Sequence, residues 1–181
     1  MKEEIIIAGF GGQGVLSMGK ILAYGGIMQD QEVSWLPSYG PEMRGGTCNV
    51  SVILSDNKIS SPILSRFDTA IILNQQSMDK FEAQVKPGGL LIYDTNGITR
   101  HPVRKDITIC RLDAAEEAAK MGNAKAYNMV VLGAYLKMKP VVTMENVLKG
   151  LKKSLPPRHH KLIPMNEQAI NVGMNAVEEV K

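Results

Sequence analysis

Apolar positions along this chain change rhythm repeatedly, and each change marks an element. EIIIA at residues 4–8 is a β-branched run with no polar alternation, the pattern of a strand buried on both faces of a parallel sheet. Beyond a cluster of glycines, Val15, Leu16, Gly19, Leu22, Ala23 and Gly26 recur at helical spacing and predict a helix over 13–28. EVSWL at 32–36 predicts a second strand, stopped by Pro37. NVSVILSD at 49–56 predicts a third, and the polar Asp56-Asn57 step before Lys58 suggests a hairpin return. The strand–helix alternation then resumes. TAIIL at 69–73 reads as a strand, and Met78, Phe81 and Val85 line one face of a helix ended by Pro87-Gly88-Gly89. LLIY at 90–93 is the next strand, with Asp94 at its carboxyl end, and DITIC at 106–110 another.

The last third is mostly helical. Asp113 and Glu116 have the spacing of a capping box for a helix to about residue 121. AYNMVVLGAYLKM at 126–138 is apolar on nearly every side, as a helix buried in a core or an assembly would be. Thr143 predicts the cap of a helix with Met144, Val147, Leu148 and Leu151 on one face. Asn166 is the expected cap of the final helix, with Ala169, Ile170, Gly173, Met174 and Val177 inward. Between those two, SLPPRHHKLIP reads as a proline-bounded basic linker. The expected architecture is one domain, residues 1–181: an α/β, Rossmann-like, mostly parallel sheet with flanking helices, a small antiparallel excursion and a helical C-terminal region.

Composition narrows the function classes more than the fold. With 44% hydrophobic and 22% charged residues, the chain is globular rather than disordered. A formal charge of +3 and 5% aromatic residues offer little for nucleic-acid binding, and none is expected. The two cysteines, Cys48 and Cys110, cannot alone supply the roughly four ligands of an iron–sulfur cluster or a structural zinc. No Gly-Asp-Gly segment followed by an asparagine is present to hold a magnesium diphosphate, and no metal site is expected. The histidines, His101, His159 and His160, fall in proline-flanked loops and suggest no nucleophilic set. MKEEIII lacks the regions of a signal peptide, and no apolar run approaches the roughly 20 residues of a membrane span. The expected setting is cytoplasmic, away from membranes.

Two loops carry candidate chemistry. Gly9, Gly11 and Gly14, with Gly12 between them, satisfy G-x-G-x-x-G between a strand and a helix, where tight turns and free amides attract an anion. A nicotinamide site also needs an acid about 20 positions on, at the end of the second strand. Trp35-Leu36-Pro37-Ser38 stands there instead, and Gln13 fills space that a pyrophosphate would need. An anion-holding turn and a purely structural turn both stay open. The second loop, PSYGPEMRGGT at 37–47, is stiffened by Pro37 and Pro41. It presents Ser38, Tyr39, Glu42, Arg44 and Thr47 on a frame that turns at Gly40, Gly45 and Gly46. It should leave the second strand beside the carboxyl end of the first, where open α/β sheets build their sites. These residues are candidates for a ligand or subunit contact. Asn123 reads as a cap, whereas Asn128, inside the apolar helix, needs a hydrogen-bond partner and is a candidate loop anchor or subunit contact. Lys149, Lys152, Lys153, Arg158 and Lys161 form a basic run that is either a solvated face or a surface for phosphates or an acidic partner.

GFGGQGV at 9–15, PSYGPEMRGGT at 37–47 and GNAKAYNMVVLGA at 122–134 together resemble the gamma subunit, or gamma domain, of 2-oxoacid:ferredoxin oxidoreductases. The resemblance spans nearly the whole chain. Its stand-alone length looks most like the 2-oxoglutarate enzymes, with the branched-chain and pyruvate enzymes as competitors. The resemblance implies a complex that oxidatively decarboxylates a 2-oxoacid to an acyl-CoA and reduces ferredoxin. It implies thiamine diphosphate and magnesium on alpha and beta subunits, and iron–sulfur clusters on the beta or a delta subunit. The gamma chain would carry no catalytic residue, be inactive alone, and pack on the catalytic pair at the coenzyme A side. Homodimerisation of the isolated chain stays open, as do two other functions: an independent nucleotide-binding protein and a purely structural assembly subunit.

Overall fold

The structure, a computed structural model, describes residues 1–39 and 46–180, Tyr39 by its backbone alone. The chain begins with β1 (Lys2–Phe10), α1 (Val15–Met28), β2 (Glu32–Tyr39), β3 (Thr47–Ser55) and β4 (Phe67–Ile72). It continues through α2 (Gln75–Phe81), β5 (Val85–Asp94), β6 (Thr108–Leu112) and α3 (Ala114–Lys120). Three more helices, α4 (Tyr127–Met138), α5 (Met144–Ser154) and α6 (Ile163–Ala176), precede a two-residue β7 (Glu178–Glu179).

Among the described residues these strands form one sheet in the order β2-β3-β1-β4-β5-β6-β7. β1, β4, β5 and β6 pair in parallel, while β3 runs against both of its neighbours and β7 against β6. Helices cover both faces, which is why β1 shows no polar alternation. Ile5 and Ile7 join the larger core with Met18, Leu22, Val130 and Tyr135, while Ile6 and Ala8 join a smaller one with Met78 and Phe81. The expected α/β architecture is present, and no helix of the described residues is long and apolar enough to cross a membrane.

Several local expectations are corrected. Pro37 does not stop β2 but lies within it, opposite Val50. β2 is an edge strand, so a missing N–H there need not break a ladder. Asp56-Asn57 makes no hairpin. The antiparallel excursion is β2–β3 itself, with β3 inserted beside β1, and the Asp56 N–H donates to the Met1 carbonyl at 3.0 Å. Pro87-Gly88-Gly89 lies inside β5 rather than at a helix end, where the register against β4 shifts. The proline-bounded linker coils as a 3₁₀ turn, Pro157–Leu162, and α6 begins at Ile163 with Pro164 in its first turn, leaving Asn166 inside the helix. The caps at Asp113 and Thr143 are present: they accept from the backbone N–H of Glu116 at 2.9 Å and of Asn146 at 3.2 Å.

Two glycines fix the C-terminal helix pair. A Cβ on Gly133 would lie 1.9 Å from the Ile170 carbonyl oxygen, and one on Gly173 would lie 1.8 Å from that of Val130. α4 and α6 therefore touch backbone to backbone. At the amino end of the sheet, the Thr69 hydroxyl donates to Glu3 at 2.5 Å, and Lys86 bridges Glu4 and Asp68.

Candidate functional site

The glycine turn is shaped by the chain's own side chains. The Phe10 N–H donates to Gln13 Oε1 at 2.6 Å, and Gln13 Nε2 donates to the Leu73 carbonyl at 3.3 Å. Gln13 thus bridges the carboxyl ends of β1 and β4, where chain connections diverge to opposite sides and open sheets usually leave a ligand crevice. A Cβ on Gly9 would sit 2.4 Å from Gln13 Oε1 and 2.9 Å from Leu73 Cβ, so Gly9 serves internal packing. Gly14 caps α1 with φ +76° and no side-chain partner. A Cβ there would fall 2.5 Å from Asn128 Nδ2, whose amide donates to the Gly14 carbonyl at 3.4 Å. Asn128 therefore has the partner that its place in an apolar helix demands.

The two glycine-bearing loops meet. The Gly11 N–H donates to the Gly46 carbonyl at 3.1 Å, and Phe10 lies opposite Thr47 in the β1–β3 ladder. One expectation is corrected: β2 does not lie beside β1, because β3 separates them. The end of β2, with Ser38 opposite Asn49 and Tyr39 opposite Cys48, is two strand spacings from β1, about 10 Å. Gly46 and Thr47, at the far stem of the loop, reach the first turn. Gly40, Glu42, Arg44 and Gly45 lie outside the described residues.

A cleft of about 270 Å³ opens beside the turn, lined by Gly12, Gln13, Ala115, Ala124 and Tyr127. One of these lining residues, Tyr127, is held by Asp94, which is 2% exposed at the carboxyl end of β5. The Tyr127 hydroxyl donates to Asp94 Oδ2 at 2.5 Å, while Oδ1 accepts the N–H groups of Asn96 and Ala114, each at 3.3 Å. Burial raises the Asp94 carboxyl above its usual range, although all three donors oppose the rise. Burial first, and then the Asp94 charge, push the Tyr127 phenol upward. Asp94 is visible in the sequence as an acid ending a strand. Tyr127 has no local signature, because its partner is 33 residues away.

Among the described residues the donors do not come together as an iron–sulfur cluster or a metal ion would need. Cys48 and Cys110 sit on β3 and β6, four strand spacings or about 19 Å apart. Burial raises both thiols, Cys110 to about 11. Among the described residues no three His, Cys, Asp or Glu side chains are grouped to hold a metal. A dinucleotide fits no better, since Gln13 spans the crevice and the end of β2 is displaced by β3. What the site does present is the amino end of a 14-residue helix with no side-chain cap and no acid in its first turn, beside a small cleft.

Residues 4–176 match the Pyruvate ferredoxin/flavodoxin oxidoreductase family. The chain belongs to this family. It is 36% identical over 176 residues to the ketoisovalerate oxidoreductase subunit VorA of Methanothermobacter thermautotrophicus, covering 97% of this chain and 36% of that one. It is 32% identical over 161 residues to the 2-oxoglutarate synthase subunit KorC of Methanocaldococcus jannaschii, covering 86% and 85%. The chain thus spans about a third of the length of the ketoisovalerate relatives it matches, and most of the 2-oxoglutarate one. The gamma subunit of a keto/oxoacid ferredoxin oxidoreductase from Geobacter sulfurreducens shares its fold, with a TM-score of 0.79, 29% identity and 96% coverage of both chains. The 2-oxoglutarate:ferredoxin oxidoreductase of Magnetococcus marinus contains the same fold within a longer chain, with a TM-score of 0.85 and 22% identity. This chain covers 30% of it and is itself covered over 96%.

Proposed function

We propose that this chain is the gamma subunit of a multi-subunit 2-oxoacid:ferredoxin oxidoreductase, without redox chemistry of its own, and that its cleft face forms part of the coenzyme A side of the assembled site. The observation that carries the reading is the meeting of the two glycine loops at the carboxyl end of the sheet, with the free amides of α1 beside the cleft. Helix-terminal amides favour a phosphate-bearing ligand over a neutral one, and coenzyme A carries a single ribose phosphate besides the pyrophosphate for which Gln13 leaves no room at the turn. Thiamine diphosphate, magnesium and iron–sulfur clusters are assigned to alpha, beta and, where present, delta subunits, with ferredoxin as the electron acceptor. The 2-oxoglutarate synthase subunits among the relatives support 2-oxoglutarate as the substrate of the complex, and the higher identity to the ketoisovalerate subunit keeps a branched 2-oxoacid as the competing substrate.

Reconstitution tests the proposal. Alpha and beta partners co-expressed with this chain should reduce a viologen dye in the presence of a 2-oxoacid and coenzyme A, with 2-oxoglutarate giving the highest kcat/KM. The same partners without this chain should lose most of that rate. Full activity without it would refute the assignment.

A further inference from the structure

The hydrogen bond between Tyr127 and Asp94 does more than satisfy two buried groups. Asp94 ends β5, accepts the Ala114 N–H at the start of α3, and accepts the Tyr127 hydroxyl in the first turn of α4. One carboxylate therefore ties together three elements that meet around the cleft. The start of α4 has no side-chain cap, since Ala126 occupies the cap position without a capping bond, and its first turn is tied elsewhere by Tyr127 to Asp94 and by Asn128 to the Gly14 carbonyl. The placement of that turn matters twice for the site. The Tyr127 ring lines the cleft beside Gly12 and Gln13, and the next residue, Asn128, packs under Gly14.

We infer that Asp94 and Tyr127 are a positioning pair that sets the first turn of α4 and, through Asn128, holds the glycine turn in the geometry that faces the ligand. The functional half of this inference rests on the proposed coenzyme A reading; the structural half does not. Chemistry distinguishes the two partners. Tyr127→Phe keeps the ring but leaves Oδ2 of a buried carboxylate without its donor, an expensive loss because a stranded charge is worse than a missing pair. Asp94→Asn can keep all three bonds: Oδ1 still accepts the two backbone N–H groups, and Nδ2 donates to the phenolic oxygen. If the pair positions, the asparagine variant is tolerated and the phenylalanine variant is not. If the Asp94 charge acted on a ligand directly, the order would reverse.

Hydrogen exchange on the full chain alone reads the structural half. In Tyr127→Phe, the hydrogen-bonded amides of Gly11, Gln13 and Met18 should exchange roughly tenfold faster, equivalent to about 1.4 kcal/mol, while those of β4 and β5 stay protected. Asp94→Asn should stay near wild type. Unchanged exchange in Tyr127→Phe, or equal loosening in Asp94→Asn, overturns the positioning pair. Kinetics of the reconstituted complex read the functional half, where Tyr127→Phe should raise the KM for coenzyme A severalfold and lower kcat much less. Faster exchange with an unaltered KM upholds the positioning pair and refutes the coenzyme A reading.

Discussion

Gly9 and Gly14 show why a motif's meaning must be settled atom by atom. In a dinucleotide fold, such glycines clear space for a pyrophosphate. Here Gln13 and Asn128 of the same chain take that space, and the glycines admit them. Gln13 is legible in the sequence as an obstacle, but one of its two hydrogen bonds goes to the Leu73 carbonyl, which no spacing rule could link to it. Glu3, at the opposite end of the sheet, gives a test at this scale. Burial raises its carboxyl above the ordinary 4.5, outweighing the Thr69 hydrogen bond and the Lys139 charge. A carboxyl raised by folding contributes stability below its unfolded pKa and loses it as pH climbs through the folded value. Glu3→Gln should therefore match wild type near pH 4 and exceed it at pH 7, narrowing the pH dependence of the melting temperature. Chemical denaturation at both pH values checks this.

Elements differed in how much of themselves the sequence disclosed. β1, α1 and α4 are legible because dense apolar patterns leave one choice of period, and the caps at Asp113 and Thr143 are local by nature. The place of β3 is not local. Its run of alternating and apolar residues suits a strand anywhere, and only pairing decides that it enters between β2 and β1. Pro87-Gly88-Gly89 imitates a helix stop, yet Gly88 at φ +76° lets β5 pass through an irregularity. β7 has two glutamates and no apolar signal at all. The α4–α6 contact is hidden in the same way, because each glycine is explained only by a carbonyl on the other helix. Gly173→Ala should force that pair apart and destabilise the fold by roughly 1–3 kcal/mol, as overpacking does. A melting curve of the isolated chain measures it, and a wild-type midpoint would show that the helices separate freely.

For the molecule as a whole, polarity along the strands divides the labour. The amino end of the sheet is closed by ion pairs joining Glu4, Asp68 and Lys86. The carboxyl end gathers the glycine turn, the stem of the second loop, the cleft and the Asp94 network. In the proposed function, this carboxyl end is the face that a working complex uses. Hydrogen exchange of the assembled complex against the isolated chain tests it directly. Peptides covering 9–17 and 122–130 should slow on assembly and slow again when coenzyme A is added. Protection confined to the peptides around Glu3, Asp68 and Lys86, with the glycine turn exchanging as it does in the free chain, would contradict it.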